Sequence, residues 1–230
     1  MIRRLIATFA MLAIAITAIY AMSAPRAEAQ GMAVEPGTSG YDFSLMDTEG
    51  HNHHLADYFA DGRTVVLEWY NPGCPFVKKY YEGGNDSMVD AKAFAEENGV
   101  VWLAVNSGAP GKQGHGLEAN SQSATDWGID NPILLDEDGS VGRMFGAQNT
   151  PQLFILSSDG VLLYNGGVDE TKAAGETPQH NYVINALTQH MAGETIDPAS
   201  TAHVGCSVKY GEQKQAAEGG MQPQNAQGAR

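Results

Sequence analysis

Short apolar runs and amphipathic stretches alternate along most of this chain, and turn residues separate them. The run over 64–70 is the strongest, and its β-branched and apolar residues predict a buried strand. The same signals predict strands at 41–46, 64–70, 100–105, 133–135, 152–156 and 161–164. They predict helices at 55–59, 75–98, 117–127, 140–145 and 181–191, with Gly83-Gly84-Asn85 interrupting the second.

The order of these elements predicts the fold class. Strands and helices alternate at first, and Ser157-Ser158-Asp159-Gly160 then joins two strands as a hairpin. Strands joined by helices pair in parallel, whereas a tight turn joins antiparallel strands. We therefore expect an α/β fold of three layers, with helices on both faces of a mixed sheet.

The first 29 residues have the features of a secretory signal peptide. Two arginines precede an apolar run over 5–22, and Ala27-Glu28-Ala29 fits the small-x-small cleavage rule. We expect a periplasmic or secreted mature chain; the alternative is an uncleaved anchor, because the run is just long enough to span a bilayer. Within the mature chain we expect a flexible lead-in at 30–40, one domain at 41–210 and a disordered tail at 211–230.

The charge of the chain excludes some partners. The formal net charge is −14 at pH 7, and loss of three arginines and one glutamate with the signal peptide changes it to −16. Such a chain is repelled by nucleic acid and by anionic lipid. We expect neither nucleic acid nor, after signal cleavage, a membrane as partner, and the sequence leaves the oligomeric state open.

One of the two cysteines, Cys74, follows the strongest predicted strand. Asn71-Pro72-Gly73 ends that strand, and Pro75 is suited to the first position of a helix. Unpaired N–H groups and the helix dipole stabilise a thiolate at such a place, and a thiolate attacks disulfides and peroxides. We therefore expect Cys74 to be an exposed, redox-active thiolate; the alternative is an inert or structural thiol.

The second cysteine, Cys206, lies 132 residues after Cys74. In an oxidising compartment the two can form a disulfide. Cys206 is then either a resolving cysteine or half of a permanent bridge, which would stabilise the fold by about 4 to 5 kcal/mol in the chain-entropy model. The sequence leaves both possibilities open.

Two residues beside this corner are further candidates. Glu68 interrupts an apolar strand, and burial would raise its pKa and suit it to relay protons to and from Cys74. The alternative places its side chain in solvent. Trp69 is a candidate for lining a substrate groove, or else packs in the core.

The element order, with a thiol at the first strand-to-helix corner, resembles the thioredoxin superfamily. Glu68 lies six residues before Cys74, where thioredoxins carry a buried acid, and Thr150-Pro151 lies where they carry a cis-proline. The likeness covers about 41–191 and implies a thioredoxin-like three-layer α/β/α sandwich with a central mixed sheet. Segments 71–79, 105–114 and 205–210 are most similar to exported redoxins of the alkyl hydroperoxide reductase and thiol-specific antioxidant group.

The resemblance implies an oxidoreductase that needs no cofactor. Cys74 would attack a thiol or disulfide protein partner, Cys206 would resolve the product, and Thr150 and Pro151 would hold the substrate backbone. Val77 stands where thioredoxins have their second cysteine, and Leu67 and Asn71 stand where peroxiredoxins have proline and a hydroxyl residue.

Two other functions stay open at this point. One is a peroxiredoxin-like antioxidant that acts on a small peroxide. The other is a non-catalytic binding domain with a structural Cys74–Cys206 disulfide. A cluster of His51, His53 and His54 has no evident further ligands, so we predict no metal site there.

Overall fold

The computed structural model describes residues 35–173 and 175–212. The predicted signal peptide, part of the lead-in and nearly all of the predicted tail lie outside these residues. No helix in the described ranges has both the length and the apolar character needed to cross a membrane.

The elements follow the predicted order closely. The strands are β1 Ser44–Met46, β2 Asn52–His54, β3 Val65–Trp69, β4 Val101–Asn106, β5 Ile133–Leu135, β6 Asn149–Thr150, β7 Gln152–Leu156, β8 Leu162–Gly166 and β9 Cys206–Ser207. The helices are α1 Leu55–Ala60, α2 Pro75–Tyr81, α3 Ser87–Glu97, α4 Leu117–Trp127, α5 Ser140–Met144 and α6 Tyr182–Met191.

The central sheet has five strands in the order β5-β4-β3-β7-β8. β3 pairs in parallel with β4, and β4 with β5, because helices connect them. β7 pairs antiparallel with both β3 and β8. The mixed sheet expected from the order of elements is therefore confirmed.

Alternation along β3 divides the core into two layers. Val65, Leu67 and Trp69 pack in one cluster with residues of α1 and α5. Val66 points to the opposite face, where it packs with residues of α3 and α6. Helices thus cover both faces of the sheet, and the three-layer architecture is confirmed.

The predicted interruption between the second and third helices is also confirmed. α2 ends at Tyr81, and α3 begins at Ser87. Gly84 has φ +98°, a conformation that favours glycine. The Asn85 side chain then accepts a hydrogen bond from the Ser87 N–H over 2.9 Å, which satisfies an unpaired donor at the start of α3.

Two short strand pairs were not predicted. β1 and β2 form a hairpin in which Leu45 faces His53. β6 pairs antiparallel with β9, so that Thr150 faces Cys206. β1 lies within the strand predicted at 41–46, but β2, β6 and β9 have no apolar run or alternation that indicates a strand. The second pair also joins segments far apart in the chain.

Candidate active site

Cys74 lies at the corner between β3 and α2, as predicted. It is the residue immediately before the helix, and Pro75 begins the helix. The Cys74 N–H donates to the Asn71 carbonyl over 3.0 Å. The Asn71 side chain accepts from the Gly73 N–H over 2.8 Å, and Gln113 donates to the Gly73 carbonyl over 2.8 Å. The turn that presents the thiol is therefore held from both sides.

The expectation that Cys74 is exposed is wrong. Its exposed fraction is 0%, and it packs within an apolar cluster against which Cys206 also packs. We call residues 205–211, which include Cys206, the C-terminal strap. The Sγ atoms of Cys74 and Cys206 are 2.7 Å apart, and both are free thiols. The potential redox partner of Cys74 is therefore part of what covers it.

Hydrogen bonds fix the strap to the edge formed by β6. The Asn149 side chain donates to the Gly205 carbonyl over 3.0 Å. The Val208 N–H donates to the Gln148 carbonyl over 2.9 Å, and the Val208 side chain packs in the core. The Tyr210 hydroxyl donates to the Ala147 carbonyl over 2.8 Å. These contacts place Cys206 directly opposite Thr150.

Thr150 and Pro151 lie beside the two sulfur atoms. The peptide bond between them is cis, as the resemblance implied. The Cys74 thiol lies 3.0 Å from the Thr150 carbonyl oxygen. The backbone expected to hold a substrate therefore pairs with this chain's own strap.

The two thiols have shifted pKa values in opposite directions. Burial acts to raise the pKa of Cys74, but its interactions with Cys206, with Thr150 and with the Val77 backbone outweigh burial and lower that pKa. Burial and the neighbouring Cys74 raise the pKa of Cys206 to about 11. Cys74 is therefore the more acidic thiol of the pair, and Cys206 holds its proton more tightly.

Glu68 is buried within the sheet, as its apolar neighbours predicted. The Tyr81 hydroxyl donates to its carboxylate over 2.8 Å, and the Trp102 Nε1–H donates over 3.0 Å. Burial raises the pKa of Glu68, while the charge of Lys92 and these hydrogen bonds oppose the rise. In the described part of the chain no hydrogen bond joins Glu68 to Cys74, so its proton relay stays a prediction.

A cavity of about 440 Å³ adjoins the side chains that hold Glu68. Tyr81, Lys92 and Trp102 line it, and each of them contacts or electrostatically influences the Glu68 carboxylate. Tyr81 also packs against the apolar cluster that contains Cys74. Glu68 itself is fully buried beside these three side chains.

Replacing Glu68 with glutamine should change how stability depends on pH. A raised pKa means that the folded state binds the Glu68 proton more tightly than the unfolded chain, so this group stabilises the fold at low pH. That contribution is lost as pH rises from the unfolded value of about 4.3 through the higher folded pKa. We expect urea unfolding to show Glu68→Gln gaining stability relative to wild type between pH 4 and pH 8. Glu96→Gln is the matched control, and a difference that does not change with pH would contradict the assignment.

The prediction that Trp69 lines a substrate groove is wrong. Its exposed fraction is 0%, and its Nε1–H donates to Ser107 Oγ over 3.0 Å. The ring packs edge-on against Phe154 at 5.1 Å between centroids. Alternation along β3 turns Trp69 to the face opposite Glu68, so core packing, the alternative role, is the one observed.

Sequence reasoning missed the side chains that surround Glu68. Tyr81, Lys92 and Trp102 come from α2, α3 and β4, which are separate in sequence. Within its own helix or strand, none of the three has a sequence pattern that indicates a functional role. Only the sheet register, which pairs Glu68 with Ala104 on β4, brings Trp102 within reach. No local pattern could have found this cluster.

Of the three histidines, His51 precedes β2, and His53 and His54 lie within it. His53 bonds to Asp47 over 2.8 Å and to Tyr58 over 2.5 Å. His54 lies between Asp42 and Asp57. No group of three or more metal-ligating side chains occurs within 35–173 and 175–212 with the geometry for a metal ion.

Comparison with known proteins identifies the family of this chain. A model of the Redoxin family matches residues 31–184. This chain belongs to the Redoxin family. The redoxin is 30% identical over 129 residues to thiol-disulfide oxidoreductase ResA of Geobacillus thermodenitrificans, a match that covers 56% of this chain and 67% of the relative. The ResA of Geobacillus kaustophilus is 29% identical over 128 residues, with the same coverage.

Solved structures support the same fold. A hypothetical protein of Sinorhizobium meliloti superposes on the redoxin with a TM-score of 0.68 at 24% identity, covering 78% of this chain and 97% of that one. An uncharacterised conserved protein of Geobacillus kaustophilus gives 0.68 at 23% identity, with coverages of 78% and 94%. These likenesses support the thioredoxin-like fold, and the Redoxin family together with the two ResA relatives shows that the chain is an oxidoreductase.

Proposed function

We propose that this redoxin is an exported thiol–disulfide oxidoreductase in which Cys74 attacks and Cys206 resolves. The observation that carries the proposal is the pair of sulfur atoms 2.7 Å apart with pKa values shifted in opposite directions. A structural bridge needs no such asymmetry, whereas thiol–disulfide exchange begins with attack by a thiolate, and the more acidic thiol supplies it.

In the first step, the Cys74 thiolate attacks one sulfur of a partner's disulfide. A Cys74–partner disulfide forms, the partner's S–S bond breaks, and its other sulfur leaves as a thiolate that takes a proton. Hydrogen bonds that lower the pKa of Cys74 increase the fraction of reactive thiolate at neutral pH. The partner backbone would pair with Thr150 beside Pro151.

In the second step, Cys206 attacks the sulfur of Cys74. The Cys74–Cys206 disulfide forms, the mixed disulfide breaks, and the partner leaves fully reduced. Because the pKa of Cys206 is raised to about 11, Cys206 must lose a proton in this step, and the departing partner thiolate accepts it. Glu68 would take the proton of Cys74 before the first step. The reverse sequence oxidises a partner dithiol, and the same residues serve both directions.

Parallel turnover assays of the full chain test this proposal. With dithiothreitol as reductant, we expect reduction of a protein disulfide such as that of insulin, and loss of the activity by about 10³-fold or more in Cys74→Ser. Rapid consumption of hydrogen peroxide without disulfide reduction would instead support a peroxidase. Absence of both activities would support a binding domain and contradict the proposal.

A further inference from the structure

The C-terminal strap lies at the active site as a bound peptide would. Cys206 and Ser207 pair antiparallel with Thr150 and Asn149. The Asn149 side chain adds a hydrogen bond to the Gly205 carbonyl, a backbone group that any peptide carries. The edge of β6 is therefore built to accept an extended segment whose cysteine faces Cys74.

The close approach at Gly205 restricts what this edge accepts. A Cβ atom there would overlap the Thr150 carbonyl group, at 2.7 Å from its carbon and 3.1 Å from the Thr150 nitrogen. Gly205 does not have a positive φ, so its backbone conformation is one that residues with a side chain also adopt. The restriction at this position is one of space, and it acts on the residue immediately before the cysteine.

We propose that the edge of β6 is a docking site for an extended partner segment with glycine immediately before its cysteine, and that the segment displaces the strap. The inference rests on the proposed function and adds a specificity to it. Strap and partner need the same Thr150 backbone and the same position over Cys74, so only one binds at a time. The returning strap then brings Cys206 to Cys74 and expels the partner as its thiol.

Two synthetic peptides test the inference. One has the strap sequence HVGCSVKY, the other is HVACSVKY, and each carries thionitrobenzoate on its cysteine as a mixed disulfide. In the full chain with Cys206→Ser, the Cys74 thiolate attacks the peptide sulfur and thionitrobenzoate leaves as a coloured thiolate. We expect the glycine peptide to react about tenfold faster or more, because an extra methyl at a filled position is poorly tolerated. Free cysteine calibrates the intrinsic reactivity of the two peptides.

The outcomes separate this inference from the proposed function. Equal rates for both peptides, with rapid reaction toward the peptide-free reagent dithiobis(nitrobenzoate), would overturn the glycine requirement and leave the nucleophile in place. No reaction of Cys74 with any of the three reagents would overturn the proposed function. In the double variant Gly205→Ala/Cys206→Ser the strap should no longer compete, so the glycine peptide should react faster still, with the same preference over alanine.

Discussion

Cys206→Ser should stop the reaction at the mixed disulfide. With the resolving sulfur absent, the partner stays bonded to Cys74, because serine cannot break an S–S bond. We expect one covalent adduct per chain on exposure to dithiobis(nitrobenzoate), and a fall in turnover of about 100-fold or more. Intact-protein mass spectrometry followed by peptide mapping measures the adduct and its position.

The matched variant Cys74→Ser distinguishes the roles of the two thiols. Burial is the largest cause of the raised pKa of Cys206 and persists when Cys74 is replaced, so Cys206 should react more slowly than Cys74 at pH 7. The adduct should therefore be abundant in Cys206→Ser and scarce in Cys74→Ser. Faster labelling of Cys206 than of Cys74 would show that the assignment of nucleophile and resolving cysteine is reversed.

Gly205→Ala should release the strap from Cys74. The added methyl would overlap the Thr150 carbonyl group, and the pairing between β6 and β9 would have to open. Overpacking of this kind costs about 1–3 kcal/mol. We therefore expect alkylation of Cys74 by iodoacetamide to rise about tenfold or more, and formation of the Cys74–Cys206 disulfide to slow.

Ser207→Ala is the control for this prediction, because Ser207 lies two residues away in the same strap but its side chain is exposed. It should leave both rates close to those of wild type. Circular dichroism and thermal unfolding establish that Gly205→Ala keeps the fold. Unchanged Cys74 alkylation in a folded Gly205→Ala chain would mean that the strap does not control access.

Much of the fold was accessible from the sequence because its signals are local. Apolar composition defined β3, and the helix predicted over 117–127 is α4, Leu117–Trp127, with the same bounds. The corner position of Cys74 followed from a strand, a Pro-Gly turn and a proline. The cis bond before Pro151 came from family resemblance, since nothing local distinguishes it from an ordinary proline.

The features that were missed depend on distant parts of the chain. The contact that covers Cys74 with Cys206 joins residues 132 positions apart in the chain. β9 has two residues, and its existence depends on the free edge of β6 rather than on its own pattern. The orientation of Trp69 follows from the register of β3 in the finished sheet. Pairing between distant segments therefore determines what covers the candidate active site, and such pairing is difficult to predict from a single sequence.

The reduction potential of the Cys74–Cys206 pair tests the central claim most directly. The full chain is equilibrated with defined ratios of reduced and oxidised glutathione or dithiothreitol, and the fraction of disulfide is measured after acid quenching and thiol labelling. A catalytic pair should have a potential between about −270 and −120 mV, the range of thioredoxin-fold oxidoreductases. A value below about −300 mV would identify a structural disulfide and contradict the account.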